Sequence, residues 1–563
     1  MSPSGPPPTT PAATPDPGAR RAQMFPRLSP AQIARVAAFG RERAARDGEV
    51  LFDQGQRDIS FFVVLAGTVE VTHPEGGGEA RVTVHQPGEF TGEIQLLSGR
   101  PALVRARARG DARVIEVAPD RLRALVQTDA ELGELLMRAL ILRRTALIAQ
   151  DQGDVVLLGS RYSAGTLRLQ EFLSRNAHPY AYVDVEKEPH LQEMLDAFHV
   201  AVDEIPVVIC DGVHVLRNPT NEALSECLGF NAGVHCEAVR DVVVIGAGPA
   251  GLAAAVYAAS EGLDVLVLEA YAPGGQAGSS SKIENYLGFP TGISGADLAG
   301  RALMQAEKFG AEVAVARAAC GLLCESRPYV VEIDRGRRVR ARTVILATGA
   351  QYRKPGLTDL TRFEGVGVYY GATHVEAQRC DGDEVIIVGG GNSAGQAAVF
   401  LASQVRRVHL LVRGPGLAES MSRYLIRRIE DTPSIELRTH TEIAALEGES
   451  HLERVVVRDA TGARTTLDVR HVFLMTGATP NTAWLGGCVA LDDQGFVRTG
   501  AELDAAVLAQ WKWPLARAPS LLETSLPGVF AVGDVRASSV KRVASAVGEG
   551  SICIQFVHRS LAE

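Results

Sequence analysis

The sequence predicts a multidomain α/β chain in which an all-β roll precedes three α/β units. Residues 50–117 alternate apolar and polar side chains between glycine turns, the pattern of short antiparallel strands. Twice further on, at Val242–Gly251 and Val385–Ala394, an apolar strand runs directly into a glycine turn and a small-residue helix. The 563 residues also exceed what one hydrophobic core organises. Two such fingers imply two nucleotide cofactors on one catalytic body. The composition, 46% hydrophobic and 22% charged, is that of a soluble globular protein. A net charge of −9 argues against nucleic acid as a partner. No apolar run approaches the roughly 20 residues of a membrane span and no secretory leader is visible, so a cytoplasmic protein without membrane contact is expected.

Residues 1–26 are rich in Pro, Thr and Ala with few large apolar side chains, which predicts a disordered tail. A short helix and then the alternating strands follow within 27–150, with one or two amphipathic helices over Arg121–Ile148. Gly55, Gly67, the Pro87-Gly88-Glu89-Phe90 turn and Gly92-Glu93-Ile94 resemble the cyclic-nucleotide-binding domain family. That resemblance implies Glu93 on a ribose hydroxyl and an arginine for the cyclic phosphate, but the arginine's position holds Ala102, followed by Leu103. A phosphate without a guanidinium loses its strongest charge-assisted hydrogen bonds. Two readings stay open: a cyclic-nucleotide site using Arg100 or Arg105, or a docking module that kept the fold.

Residues 151–230 read as a strand at Asp154–Gly159, a helix at Thr166–Asn176, strands at Tyr180–Val185 and Pro206–Cys210, and a helix at Asn221–Leu228. This order, with Ile205-Pro206 before a strand, resembles the glutaredoxin branch of the thioredoxin fold, which implies a cis proline. Ser163-Ala164-Gly165-Thr166 stands where that family carries Cys-x-x-Cys, so dithiol chemistry is excluded there. A docking or substrate-contact domain, or a groove for a glutathione-like ligand, remains. Residues 231–238 are a linker.

In the first finger Gly246 makes the turn, Gly248 admits a pyrophosphate, and Gly251, after Pro249 and Ala250, lets helix pack on strand. The next strand ends in Glu269, suited to a ribose diol. Pro273-Gly274-Gly275-Gln276 and Ile283-Glu284-Asn285-Tyr286, then Ala347-Thr348-Gly349-Ala350, resemble the low-molecular-weight thioredoxin reductase family. So do Gly533-Asp534 and Lys541-Arg542-Val543-Ala544 near the end. The resemblance implies FAD held by 239–353 and 479–563, with Asp534 toward the ribityl chain and Arg542, Val543 and Ala544 toward the pyrimidine end. It also implies an inserted NADPH domain, 354–478, built on Gly389, Gly391, Asn392, Ser393 and Ala394 and returning through Gly477. Arg413, ending that finger's second strand with no acid beside it, favours a 2′-phosphate, hence NADPH over NADH. Homodimers are common among these relatives, which makes a homodimer the expectation by analogy alone.

That family carries its redox cysteines where this chain has Gly371-Ala372-Thr373-His374. Neither thiol exists, so the usual relay from flavin to an internal disulfide cannot run. His374 takes the flavin-facing position and is expected either to relay a proton or to fill space. The eight cysteines include no Cys-x-x-Cys pair and match no zinc spacing, so reduced thiols and no metal are expected. The expected activity is transfer of hydride from NADPH to FAD and on to an unidentified acceptor. The alternatives are a sensor that holds both cofactors without turnover, and a thioredoxin-disulfide reductase using remote cysteines.

Overall fold

The structure, a computed structural model, describes residues 17–75, 78–92, 101–149, 155–187, 204–210, 214–231, 234 and 238–563. It divides into two units, Met1–Gln150 and Asp151–Glu563.

The first unit begins with helices α1 (Pro17–Met24) and α2 (Pro30–Ala37). Strands β1 (Arg41–Ala45), β2 (Val50–Phe52), β3 (Phe61–Glu75), β4 (Gly78–His85) and β5 (Arg105–Val117) follow, and helices α3 (Pro119–Thr128) and α4 (Ala130–Ala149) close the unit. The sheet order is β1-β5-β3-β4 with β2 also on β5, antiparallel throughout. Ser29 starts α2 through a reciprocal cap: its Oγ accepts from Gln32 N (3.3 Å) and Gln32 Oε1 accepts from Ser29 N (2.8 Å).

Composition predicts no structure before residue 27, yet residues 17–24 are helical. Proline suits the first helical position, and the Ala, Arg, Gln and Met that follow favour helix. Arg143 of α4, itself buried, holds the segment's end: Nε donates to Met24 O (2.9 Å) and Nη1 to Gly92 O (2.8 Å). Its guanidinium lies over the rings of Phe25 (4.9 Å) and Phe90 (4.6 Å). Arg143→Ala is expected to cost about 2–3 kcal/mol through lost charged hydrogen bonds. Limited proteolysis should then cut within 17–26 faster than in the wild type.

Among the described residues, the second unit contains three sheets of four or more strands. The first has β6 (Val155–Gly159), β7 (Ala181–Asp184), β8 (Val207–Cys210) and β9 (His214–Arg217) in the order β7-β6-β8-β9. Helices α5 (Ala164–Arg175) and α6 (Asn221–Cys227) accompany it, and the Ile205–Pro206 peptide is cis.

The second sheet runs β12-β11-β10-β15-β14-β13, from β10 (Val239–Ile245), β11 (Val265–Glu269), β12 (Glu312–Val315), β13 (Ala319–Leu323), β14 (Tyr329–Ile333) and β15 (Arg337–Leu346), with Val529–Ala531 added parallel to β15. Helices α7 (Pro249–Ser260) and α8 (Gly295–Phe309) pack against it. Val242 to Ile245 are all buried because a parallel sheet is covered on both faces.

A two-stranded antiparallel ribbon, β16 (Ala350–Tyr352) with Ala478–Pro480, leads into and out of the inserted region. There β17 (Val368–Tyr369), β18 (Glu384–Val388), β19 (Arg407–Val412), β20 (Ile435–Thr439) and the returning strand His471–Leu474 form a parallel sheet in which the returning strand lies between β17 and β18. Helices α9 (His374–Arg379) and α10 (Asn392–Leu401) belong to this region. Among the described residues, no helix is long and apolar enough to cross a membrane.

The four-stranded layer shares its core with the second sheet. Leu169, Phe172, Leu173 and Phe230 belong to the same buried cluster as Val242, Val244 and Ile345. Phe172 meets Tyr271 edge-on at 5.9 Å.

Candidate active site

At the end of β10 the chain turns at Gly246, whose φ of +105° and the 2.4 Å that a Cβ would leave to Ala347 O both require glycine. Gly248 is the N-cap of α7, and Pro249 occupies its first position. A Cβ on Gly275 (φ +54°) would lie 3.1 Å from Gly248 Cα, so two bare backbones face each other beside a helix N-terminus. This cradle fits a dinucleotide pyrophosphate: the first turn of α7 supplies amide donors and no side chain intrudes. Glu269, last in β11, accepts from Ala247 N (2.7 Å), Tyr271 N (2.9 Å) and Ala272 N (3.1 Å), which locks the turn to the neighbouring strand. Burial raises its carboxyl, and the amides oppose that shift.

The cradle opens into a cavity of about 1230 Å³. Gly246, Gly248, Pro249, Ala250 and Glu269 line it, as do Gly275, Gln276 and Asn285. Thr348 and Gly349 continue the wall, and Gly533, Asp534, Arg542 and Val543 close it where α11 (Val543–Ala562) begins. Burial raises the Asp534 carboxyl, and Lys541 opposes it. Gly251 lies behind the wall against Gly246 O, and Ala544 is exposed outside the lining. Of the second finger only Asn392 and Ser393 reach the cavity. Gly389 (φ +148°) packs on Met475 O, Gly391 caps α10, and Ala394 is buried. Gly477 O accepts from Arg353 N (2.6 Å) at the ribbon. Arg413 is exposed one residue beyond β19.

Gly371 to His374 also line this cavity, and a Cβ on Gly371 would meet Ser279 Cβ at 3.6 Å. Thr373 caps α9: its Oγ1 accepts from Val375 N (3.2 Å), while Glu376 Oε2 accepts from Thr373 N (2.7 Å) and from Thr373 Oγ1. His374 is exposed, its ring edge-on to Phe400 at 5.2 Å. Cys380 is buried, its thiol pushed up by desolvation and directed at Glu376 O (3.2 Å).

The remaining wall is α5. Ala164, Leu167, Arg168, Glu171, Ser174 and Arg175 line the cavity at the spacing of one helical face. Ser163 caps this helix by accepting from Thr166 N (3.3 Å), and Thr166 is buried. Leu167 shares a core with Tyr369 and Ala372, and Arg175 Nη2 donates to Gly275 O (2.7 Å). Arg379 Nη2 donates to Gln170 Oε1 (3.0 Å). Tyr271 Oη lies 3.2 Å from both Glu171 Oε2 and Arg168 O. Glu376 lines the same cavity, and burial together with this neighbouring carboxyl pushes Glu171 up to about 8. Glu171, Arg175, Tyr271 and Glu376 carry no catalytic motif. For Glu171 and Arg175 the one sequence signal is the polar stripe on an otherwise ordinary amphipathic helix, and for Glu376 it is the Thr373-x-x-Glu376 capping box.

The expectation of reduced thiols needs correction at one place. Cys324 and Cys488 form a disulfide, with Cα atoms 6.0 Å apart and 164 residues between them in sequence. That separation has no spacing signature; the fold alone brings the two together, outside the cavity lining. In the first unit, Ala102 and Leu103 are buried. Arg105 is committed to Asp53 (2.7 and 2.9 Å) and Glu79 (2.6 Å), which corrects its candidacy as a phosphate ligand. Glu93, Ile94 and Arg100 lie outside the described residues.

Residues 240–550 match the model of the pyridine nucleotide-disulphide oxidoreductase family, and 42–129 match the cyclic nucleotide-binding domain. The chain is 31% identical over 376 residues to the NADPH-dependent thioredoxin reductase 3 of Arabidopsis thaliana, covering 62% of this chain and 65% of that protein. It is 31% identical over 333 residues to a thioredoxin reductase of Listeria monocytogenes, covering 58% of this chain and 95% of that one. Among solved structures, Lactococcus lactis thioredoxin reductase in its FR conformation aligns with a TM-score of 0.51 at 26% identity, over 57% of this chain and 99% of that chain. With a family model spanning more than half of its residues and the cradle that such a family requires, the chain belongs to the pyridine nucleotide-disulphide oxidoreductases and is an FAD-dependent NAD(P)H oxidoreductase.

Proposed function

We propose that the chain oxidises NADPH and passes the reducing equivalents to an acceptor without a redox disulfide at Gly371–His374. The observation that carries this reading is the placement of that sulfur-free tetrapeptide on the same cavity as the Gly246–Gly275 cradle. Bound FAD supplies the two-electron chemistry. The chain's share would be to hold it, with the backbone amides of α7 for the pyrophosphate, Glu269 for the ribose, Asp534 for the ribityl chain and the positive dipole of the α11 N-terminus for the pyrimidine end. The layer at 155–231 is read as a thioredoxin-type fold that has lost its dithiol and serves as a wall.

Stopped-flow mixing with NADPH tests the proposal. Rapid bleaching of bound flavin supports it, and an unreduced flavin turns the reading to a sensor that only holds its cofactors. Arg413→Ala is expected to raise KM for NADPH roughly tenfold, a loss of about 1.4 kcal/mol, and to leave KM for NADH unchanged. Equal shifts for both would remove Arg413 from the 2′-phosphate. The Cys324–Cys488 bridge favours a second reading, a disulfide relay from a remote pair. Full turnover of a Cys324→Ser, Cys488→Ser variant would exclude it. A cyclic nucleotide and a second copy of the chain belong to the same proposal, each carried by family resemblance.

A further inference from the structure

Helix α5 restricts what can reach the tetrapeptide. Ala372 is buried against Leu167, and a Cβ on Gly365 would meet Ala164 Cβ at 2.9 Å. The layer covers Ala372 and shares a hydrophobic core with the neighbouring parallel sheet, so a partner protein would meet the exposed His374 end of the tetrapeptide and not its middle. The other route is the cavity of about 1230 Å³, whose wall carries the tetrapeptide beside the cradle proposed for the flavin.

Acidic side chains converge in that cavity from separate segments. Glu171 comes from α5 and Glu376 from α9, and Tyr271, beyond β11, places its hydroxyl on Glu171. Glu376 Oε2 accepts from Thr373 N and Oγ1, and the Tyr271 hydroxyl lies 3.2 Å from Glu171 Oε2. Arg168 and Arg175 on α5 line the same cavity, Arg175 donating to Gly275 O, and Arg379 of α9 donates to Gln170 Oε1 next to Glu171.

We propose that the cavity admits a small organic two-electron acceptor of the quinone class and that Glu171 delivers its proton. The proposal rests on the reading of the chain as an NADPH-driven flavin reductase. In the net reaction NADPH gives up a hydride equivalent and becomes NADP⁺. The quinone gains that hydride and one proton from Glu171, both carbonyl oxygens ending as hydroxyls, and water restores the proton to Glu171. An acid held near 8 is competent at neutral pH, and its contribution is lost as pH rises through about 8.

The test uses flavin-loaded full-length protein reduced with dithionite, so that it does not depend on NADPH, then mixed with benzoquinones and naphthoquinones, a low-molecular-weight disulfide, or oxidised thioredoxin. Quinones should reoxidise it fastest, the rate falling as pH rises through about 8. Glu171→Gln should slow quinone reoxidation about a hundredfold and flatten that profile, within the 10²–10⁴ typical of a general acid. In the apoprotein, the wild-type minus Glu171→Gln infrared difference spectrum should show the carbonyl band of a protonated buried carboxyl. Reoxidation of Glu171→Gln at the wild-type rate, absence of that band, or faster oxidation by thioredoxin would overturn the proposal, as would a loss seen only in His374→Ala. Failure of NADPH to reduce the flavin would instead count against the proposed function.

Discussion

Gly251→Val is expected to yield protein that no longer retains flavin. A Cβ at this position would fall 1.9 Å from Gly246 O and 3.2 Å from Val244 Cγ1. Both neighbours belong to the strand and turn that face the pyrophosphate, so relief comes only by lifting α7 off β10. Overpacking a core costs about 1–3 kcal/mol where side chains can yield, and a clash with a carbonyl oxygen lies at the upper end or beyond. Lifting α7 also carries its amide donors away from the Gly248–Gly275 cradle. Flavin absorbance per mole of purified protein should drop at least tenfold. Gly300→Ala in α8 is the control: nothing lies within 4 Å of its Cβ position, and flavin content should be retained. A fully coloured Gly251→Val protein would mean that the helix need not touch the turn.

Arg517→Ala should produce the largest loss of stability. Arg517 donates to both oxygens of Glu523 (2.7 and 3.1 Å) and to Glu563 (2.5 and 2.9 Å). The Glu523 side chain is 0% exposed and also accepts from Ser520 N (2.8 Å) and Gly528 N (3.0 Å). Removing the guanidinium leaves a buried carboxylate without its counter-charge, a change that costs about 3–5 kcal/mol. Urea denaturation followed on the Asp151–Glu563 unit should show a stability lowered by that amount. Glu563→Ala, which leaves the Arg517–Glu523 pair intact, should change it by less than about 1 kcal/mol. Equal effects of the two variants would show that the exposed pair, not the buried one, carries the stability.

The parts of the site legible in the sequence are those where local backbone geometry dictates residue type. Val242–Ile245 read as a buried strand because parallel sheets leave no polar face, and Gly246 is readable because a left-handed turn pressed on Ala347 O tolerates nothing else. Composition misleads at residues 17–24, since Pro, Ala and Arg are as suited to a helix start as to a tail; Arg143, more than a hundred positions away, decides between the two. The meeting of Glu171, Tyr271 and Glu376 is invisible in the sequence for the same reason as that of Cys324 and Cys488. Their chemistry arises from convergence of segments between which the chain offers no repeat, spacing or cap. His374 stands out through the resemblance, not through geometry, and the fold leaves it exposed beside Phe400.

The core that Phe172 and Phe230 share with Val242 and Ile345 bears on where this gene can be divided. A shortened chain starting at the first finger would keep every glycine motif and still present an uncovered oily face where that layer had been, inviting aggregation. A cut between Met1–Gln150 and Asp151–Glu563 falls between the two compact units, whereas one at the first finger would split a shared core.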